Sequence, residues 1–162
     1  MKNLWVFKPK PTNQSVYLLM NEVTLPRPLA VIMAQRGIDS FEKAKNFFRP
    51  DLDLLHDPHQ MKDMDKAVER ILTAFNNNEN ILVYGDYDVD GTTAVAMMYD
   101  FLKSIYEKVS YYIPDRYKEG YGISFQGIDF ADDNGFSLII ALDCGIKAES
   151  KIRYASEKNI DF

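Results

Sequence analysis

The sequence predicts an α/β protein: a mostly parallel, doubly wound sheet with helices on both faces, giving three layers, preceded by short helices. Two observations support this prediction. Short apolar runs alternate with longer stretches of helical periodicity over the second half of the chain, as in successive strand–helix units. One run, SLIIAL at Ser137–Leu142, is apolar at nearly every position, which is typical of a parallel strand buried on both faces.

Length and composition limit the classes of protein that fit. The chain has 162 residues, 46% of them apolar, and a net charge of −5. It is therefore one domain, or one domain plus an extension, with enough apolar residues for a core. The acidic balance excludes a broad basic surface, so a polyanion would have to bind locally, through a metal-bridged contact.

Targeting and redox features predict a cytoplasmic protein that does not contact a membrane. No apolar run approaches the roughly 20 residues of a membrane span, and Met1–Asn3 are not followed by the apolar segment of a signal peptide. The single cysteine, Cys144, excludes an internal disulfide and fits a reducing compartment. Because Cys144 follows an apolar strand, we expect it to act as a small buried hydrophobic residue rather than a reactive thiol.

The first part of the chain is predicted to contain two short helices. Residues 1–24 show little periodicity and are interpreted as an extended arm. Pro26 and Pro28 are placed where a helix can begin. A sequence resembling a capping box then precedes a second helix, at Ser40–Phe48.

An acidic, proline-containing linker follows at residues 50–63 and contains both histidines of the chain, His56 and His59. Together with Asp57 they could ligate a metal ion. Pro58, however, breaks any helix that would place both histidines on one face. A packed or solvated linker is therefore the favoured interpretation.

We divide the chain into an N-terminal part, residues 1–63, and a partial α/β domain, residues 64–162. An amphipathic stripe predicts the first helix of the second part, after which strands and helices alternate. In chain order, the predicted elements are helix Met64–Phe75, strand Ile81–Tyr84, helix Thr92–Ile105, strand Val109–Ile113, helix Phe125–Asp133, strand Ser137–Leu142 and helix Lys147–Lys158.

Three carboxylates follow the first predicted strand at alternate positions, namely Asp86, Asp88 and Asp90, directly before Gly91 and a helix. Isolated buried carboxylates are too costly for all three to face a core. They need a positive partner, and a divalent cation with oxygen ligands is the simplest candidate. An ordinary loop whose acids favour the helix N-terminus is an alternative.

A phosphatase of the haloacid dehalogenase type is a further alternative, because Asp88–Thr92 spells D-x-D-G-T. In that class Asp88 would be the nucleophile and Asp90 the general acid. The first aspartate of that class should stand directly at the end of the apolar strand. Here Gly85–Tyr87 intervene, which counts against this interpretation.

The predicted topology brings a fourth acid to the same place. Right-handed crossovers place the C-terminal ends of all strands at one edge of the sheet, and ligands of open α/β sheets bind outside those ends. Asp143 stands at the end of the third strand, and the loop 115–122 follows the second. We therefore expect four acids from two strand ends to converge at this edge.

With these residues in view, the chain resembles the DHH phosphoesterase superfamily, and within it the bacterial RecJ family of single-strand DNA exonucleases. Three ordered motifs carry the resemblance, namely VYGDYDVDGTTA, YIPDRYKEGYGIS and LIIALDCGI. It extends upstream through LAVIMAQRGIDSFEKAKNFFRP and DPHQMKDMDKAVERI, and so covers residues 25–162. The haloacid dehalogenase interpretation does not account for the second motif.

The resemblance implies a metal-dependent exonuclease that degrades single-stranded DNA from 5′ to 3′ in DNA repair and recombination. Asp86, Asp88, Asp90 and Asp143 would be the catalytic metal ligands, holding one or two Mn²⁺ or Mg²⁺ ions. Asp88 and Asp90 match the D-x-D ligand pair of the family, which leaves a secondary role for Asp86. The metal would lower the pKa of a bound water and neutralise developing phosphodiester charge.

The resemblance also implies a substrate-binding loop. Arg116 would contact a backbone phosphate, since a guanidinium binds phosphate in a bidentate fork; the alternative is a surface ion pair with Asp115 or Glu119. Tyr121 would either stack on a base or pack under the loop. Gly122 would allow close approach of the backbone.

One part of the family pattern is not found in this sequence. The Asp-His-His motif and the DHH-associated domain would follow Lys158–Phe162, and His56 and His59 do not replace that motif. We therefore expect an N-terminal part of such an enzyme, inactive alone. The alternatives are another DHH phosphodiesterase, acting on oligoribonucleotides or cyclic dinucleotides, and a non-catalytic nucleic-acid-binding relative. Single-strand binding protein and a helicase are candidate partners besides single-stranded DNA.

Overall fold

The computed structural model describes residues 4–162, and the chain divides into two compact units, residues 1–60 and 61–162. The described part of the first unit contains three helices, α1 (Asn13–Glu22), α2 (Arg27–Gln35) and α3 (Phe41–Phe48). Two short 3₁₀ turns follow, at Leu52–Leu54 and Pro58–Gln60, and the whole of this segment is exposed.

Helix α1 corrects the prediction of an extended arm over residues 1–24, of which residues 1–3 lie outside the described residues. The side chain of Thr12 caps the helix by accepting a hydrogen bond from the Ser15 N–H. Only two residues of α1 are buried, Val16 and Leu19. They pack with residues of α2 and α3 in a small core. This packing stabilises the helix, and the weak periodicity of its sequence does not predict it.

The second unit is the predicted α/β fold. Its three strands are parallel and lie in the order β2-β1-β3. The predicted fold class is confirmed, with most element ends shifted by one to three residues. In chain order the elements are α4 (Met64–Asn76), β1 (Asn80–Gly85), α5 (Val89–Ile105), β2 (Val109–Tyr112), α6 (Phe125–Asp133), β3 (Phe136–Leu142) and α7 (Glu149–Glu157).

The central strand β1 divides the core into two layers, because successive side chains of a strand point to opposite faces. Ile81 and Val83 pack with residues of α4 and α5 on one face. Leu82 and Tyr84 pack with residues of α6 and α7 on the other. All four side chains are fully buried, so helices cover the sheet on both faces and make three layers.

The strand order locates the functional edge of the sheet. The chain passes from β1 to β2 through α5 on one face, and then crosses to the far side of β1 through α6 on the other face. The order therefore reverses between β1 and β3, and open α/β sheets bind ligands outside the carboxyl ends of the strands at such a point.

None of the helices described over residues 4–162 is long and apolar enough to cross a membrane.

A network of ion pairs and hydrogen bonds links α4 to the amino ends of β1 and β3, away from the acidic edge. Arg70 donates to Glu79 Oε2 (2.8 Å) and to Asp161 Oδ2 (2.7 Å), and the Ser137 hydroxyl also donates to Glu79. Asp161 itself pairs with the outer side of β3, in a parallel bridge to Leu138. The hydrogen bonds from Ser137 and Arg70 lower the pKa of Glu79 to about 2.

The Glu79→Gln substitution should lower stability at neutral pH and reduce its dependence on acid pH. The folded pKa of Glu79 is depressed below the ordinary 4.5, so its contribution is present above about pH 4.5 and is lost as the pH falls towards about 2. Losing hydrogen bonds to a charged group should cost about 1–3 kcal/mol at pH 7. Urea unfolding at pH 7 and pH 3 measures both effects.

Glu149→Gln is the matched control, because Glu149 pairs with Arg153 on an exposed helix face. An exposed pair of this kind contributes about 0–1 kcal/mol, so this variant should follow the wild-type chain at both pH values. If the two variants behave alike, the Glu79 network is not a source of stability.

Candidate metal centre

The pairing of β1 with β3 places two of the acids at neighbouring strand ends. Gly85 lies opposite Leu142 in the parallel register, and Asp86 and Asp143 are the residues that immediately follow. This is the edge at which the strand order reverses. The expectation that acids from separate segments reach one edge therefore holds for the backbone positions of this pair.

Asp143 lies at a bend directly after the end of β3. Its φ is +57°, a left-handed conformation that aspartate tolerates better than most residues, and its side chain is exposed. The pKa of Tyr121 is raised first by the hydrogen bond that its hydroxyl donates to Asp88, and to a smaller extent by the negative charges of Asp88, Asp86 and Asp143.

Asp86 is fully buried, and donors within the chain satisfy its charge. Oδ1 accepts the N–H of Tyr87 and Oδ2 accepts the N–H of Gly122, both at 2.7 Å. The requirement for a positive partner is therefore met at this position by two backbone amides, which are effective partners for a buried carboxylate. This arrangement fits the secondary role that the family resemblance implies for Asp86.

Asp88 is the N-cap of α5. Its Oδ1 accepts the N–H of Gly91 at 2.9 Å and its Oδ2 accepts the hydroxyl of Tyr121 at 2.7 Å. These hydrogen bonds, the Gly91 amide first, lower the pKa of Asp88. Helix α5 consequently begins at Val89, three residues before the predicted Thr92, and Asp90 lies exposed in its first turn.

Gly91 permits the close approach that brings the helix onto the strand end. A Cβ at this position would lie 2.5 Å from the carbonyl oxygen and 2.7 Å from the nitrogen of Asp86. Both contacts are with backbone, which cannot rotate away. Gly91, the second glycine of the first motif, therefore sets the spacing between Asp86 and the start of α5.

Glu119 organises the loop between β2 and α6, a role that sequence reasoning missed. Its carboxylate accepts the backbone N–H of Asp115 at 2.7 Å, the Tyr112 hydroxyl at 2.9 Å and the Ser124 hydroxyl. Ser124 caps α6 by accepting the N–H of Gly127. A serine directly before a predicted helix is a recognisable capping signal, but no sequence signal identifies the contacts of Glu119.

The predicted substrate-binding residues lie in this loop. Arg116 does not take the alternative ion pair with Asp115 or Glu119 among its described contacts; its guanidinium carbon lies 4.5 Å from the centre of the Tyr87 ring. Tyr121 is 63% exposed and meets the same Tyr87 ring edge to face at 5.6 Å. The Tyr121 ring therefore does not pack under the loop.

Cys144 follows Asp143 and packs against the core on the α6 and α7 face. Burial raises the pKa of its thiol to about 11, so the thiol stays protonated at neutral pH. This behaviour is what the sequence predicts for a residue that is not a reactive thiol.

The side chains at this edge are of a kind that binds metal ions, but in the part of the chain that the structure describes they are not arranged as a metal site. The four carboxylates offer oxygen ligands of the kind that Mn²⁺ and Mg²⁺ take. In the structure of residues 4–162, however, no group of three or more His, Cys, Asp and Glu side chains is placed to hold a metal. The histidines of the linker form no such group either.

The sequence profile of the DHH family, N-terminal domain, matches residues 80–162, half of the chain and the segment that carries this edge. The chain belongs to this family. Its relatives include single-stranded-DNA-specific exonuclease RecJ of Bacillus subtilis, which is 37% identical over 152 residues, and that of Escherichia coli, 31% identical over 137 residues. These alignments cover 94% and 84% of this chain but only 19% and 23% of the relatives.

Two solved structures share the fold. A crystal structure of exonuclease RecJ bound to manganese is 29% identical, with a TM-score of 0.57 over 62% of this chain and 26% of that chain. RecJ from Thermus thermophilus in complex with Mn²⁺ is 22% identical, with a TM-score of 0.64 over 93% of this chain and 20% of that chain. The present chain thus spans about a fifth to a quarter of these proteins.

The Gly91→Ala substitution should destabilise the fold. The methyl group would press on the backbone of Asp86, at an overpacking cost of about 1–3 kcal/mol. This cost should outweigh the roughly 1 kcal/mol that alanine gains over glycine in a helix. Ser104→Ala, at an exposed position of the same helix, is the control and should change stability by less than about 0.5 kcal/mol. Denaturant unfolding that finds Gly91→Ala as stable as the parent chain would contradict the close-approach role.

Proposed function

We propose that this chain is the N-terminal part of a metal-dependent, single-strand-specific DNA exonuclease of the RecJ type, which degrades DNA from 5′ to 3′ in repair and recombination. The observation that supports it is the placement of Asp86 and Asp143 at adjacent parallel strand ends, where the strand order reverses, in a member of the DHH family. The named relatives at 37% and 31% identity are exonucleases specific for single-stranded DNA.

Asp86, Asp88, Asp90 and Asp143 are the proposed metal ligands, with a secondary role for the buried Asp86. One or two Mn²⁺ or Mg²⁺ ions held there would acidify a bound water and neutralise charge on the phosphodiester. Two of the related RecJ structures contain manganese. Because the carboxylates do not already form a three-ligand group, side-chain rotation at Asp88 and further ligands from the rest of the enzyme would complete the site.

The loop between β2 and α6 supplies the proposed contacts with the nucleic acid. Arg116 is exposed beside the acidic edge, over the ring of Tyr87, where its guanidinium can bind a backbone phosphate in a bidentate fork. Tyr121 is the proposed stacking residue for a base. Gly122 has no side chain, which lets the DNA strand approach the protein backbone. With a net charge of −5, binding is concentrated at this loop and the metal rather than spread over a basic surface.

The proposed setting follows from the same reasoning. The substrate is cytoplasmic single-stranded DNA, with single-strand binding protein or a helicase as candidate partners. An alternative DHH activity on oligoribonucleotides or cyclic dinucleotides, and a non-catalytic binding role, are outcomes that the activity test below distinguishes.

In the full-length protein, Asp88→Ala and Asp143→Ala should each abolish nuclease activity without unfolding the protein, because each removes a proposed ligand. The assay follows end-labelled single-stranded DNA with Mn²⁺ and reads strand polarity, with an oligoribonucleotide and a cyclic dinucleotide tested in parallel. Asp100→Ala, which removes an exposed carboxylate of α5, is the control and should retain activity.

Retained activity in either ligand variant would remove that residue from the ligand set. Preference for one of the parallel substrates would replace the proposed one, and no turnover of any of them by the full-length protein would favour the non-catalytic role.

For the 162-residue chain alone, we expect weak Mn²⁺ binding and no exonuclease activity, since its ligand set is incomplete. Added Mn²⁺ should raise the melting temperature, because relieving repulsion among the acids favours the folded state. At ten times the dissociation constant the gain is about 1.4 kcal/mol, a rise of about 2–4 °C for each kcal/mol at this size.

Asp88→Asn should remove most of this Mn²⁺-dependent shift, whereas Asp100→Asn should keep it. An absence of any shift at millimolar Mn²⁺ in the parent chain would contradict the proposed site, and turnover of DNA by the isolated chain would contradict its incompleteness.

A further inference from the structure

Tyr84 is the last large side chain of β1 and lies two residues before Asp86. It is completely buried, yet it carries a hydroxyl, which needs partners inside the protein. That hydroxyl donates to the carbonyl of Gly122 at 3.0 Å and accepts the N–H of Ser124 at 3.1 Å. One side chain from the strand thus holds two backbone groups of the loop between β2 and α6.

The same stretch of loop holds the acids. The N–H of Gly122 donates to Asp86 Oδ2, and the neighbouring Tyr121 donates its hydroxyl to Asp88 Oδ2. The carbonyl of Gly122 faces Tyr84 while its amide faces Asp86. The position of this single residue therefore depends on Tyr84, and the orientation of both carboxylates depends on this residue and the one before it.

Side-chain packing holds the loop from Ile123 onward, since Ile123 is buried in the core on the α6 and α7 face, but it does not hold the glycines before it. Gly120 and Gly122 have φ values of +82° and +84°, and nothing lies within 4 Å of a Cβ built at either position. At Gly122 the described contacts that orient the peptide are its hydrogen bonds, from the Tyr84 hydroxyl and to Asp86 Oδ2.

The Tyr84 ring itself is fixed. It stacks on the Tyr112 ring at 5.4 Å, and a Cβ at Gly127 would lie 2.6 Å from its Cε2 atom, so α6 lies directly against it.

We infer that Tyr84 is a positioning residue for the metal centre: its hydroxyl holds Gly122 so that the loop presents Asp86 and Asp88 in the geometry that binds the ion. Tyr84 itself contributes no ligand and touches no reacting atom. The inference rests on the proposed metal-dependent function, and it adds a residue of the hydrophobic core to the groups that set metal affinity. Groups that orient metal ligands typically change metal affinity or activity by about 10–100-fold when removed.

The test is the isosteric variant Tyr84→Phe in the full-length protein. We expect the dissociation constant for Mn²⁺, measured by calorimetry, to rise by about tenfold or more. The Mn²⁺ concentration that gives half-maximal nuclease activity should rise in parallel. The kcat at saturating Mn²⁺ should return to within about twofold of the parent, because excess metal restores a site whose ligands are intact.

Tyr106→Phe is the matched control. The Tyr106 hydroxyl is partly buried and, like that of Tyr84, donates to backbone carbonyls, those of Glu79 and Ala74, but Tyr106 packs with the core on the opposite face of the sheet. It should lose a comparable hydrogen bond, seen as a lower melting temperature, with no change in Mn²⁺ affinity. A purely structural role of Tyr84 predicts the same result for both variants.

A second variant changes Gly122, the loop residue that the Tyr84 hydroxyl holds. Gly122→Ala strains the left-handed conformation without creating a contact, and it should also weaken Mn²⁺ binding, whether or not Tyr84→Phe folds. Unchanged Mn²⁺ affinity in whichever of the two variants folds, or an equal loss in Tyr106→Phe, would overturn the inference and leave the proposed function standing. Parental Mn²⁺ affinity and activity in Asp88→Ala would instead overturn the proposed function, and the inference with it.

Discussion

The parallel register of β1 against β3 is the constraint on which the acidic edge depends. Ile81 pairs with Leu138 and Gly85 with Leu142, and a slip of one residue would move each side chain of a strand to the opposite face. Because β1 is buried on both faces, such a slip would exchange the side chains that fit against α4 and α5 with those that fit against α6 and α7, which close packing penalises. The fit of the two core layers thereby keeps Asp86 and Asp143 on strands that neighbour at about 4.8 Å, without any attraction between the acids themselves.

Hydrogen-bond donors within the chain satisfy the charge of the buried Asp86. Backbone amides of Tyr87 and Gly122 satisfy Asp86, while the N-terminus of α5 and the Tyr121 hydroxyl satisfy Asp88. These donors make the edge stable in the absence of a cation. They also set a cost for cation binding under the proposed function, because an ion that takes Asp88 Oδ2 must compete with the Tyr121 hydroxyl. The free energy of metal binding would then be that of the contacts with the ion minus that of the hydrogen bonds that the ion displaces.

The sequence was informative where periodicity and topology decide the outcome. The apolar runs predicted all three strands, and the alternation of strands with helices predicted the meeting of the residues after β1 and β3. It fails where few residues carry the signal: α1 buries only Val16 and Leu19, and the sequence predicts the start of α5 three residues late because the pattern of alternating acids does not show that Asp88 also caps the helix. The contacts of Glu119 and Tyr84 with the loop could not be predicted, since an irregular backbone has no period to reveal them.

Under the proposed function, the balance of charge favours binding of a polyanion through one arginine and a metal. Broad basic surfaces gain affinity by displacing counterions from many phosphates and lose it steeply as salt rises. The net charge of −5 does not favour that route for this part of the enzyme. Under the proposed function, Arg116, which lies over the Tyr87 ring, would offer one directed phosphate contact and the ion would offer another. Recognition of this kind would depend on the metal more than on ionic strength, and it would position the scissile phosphate.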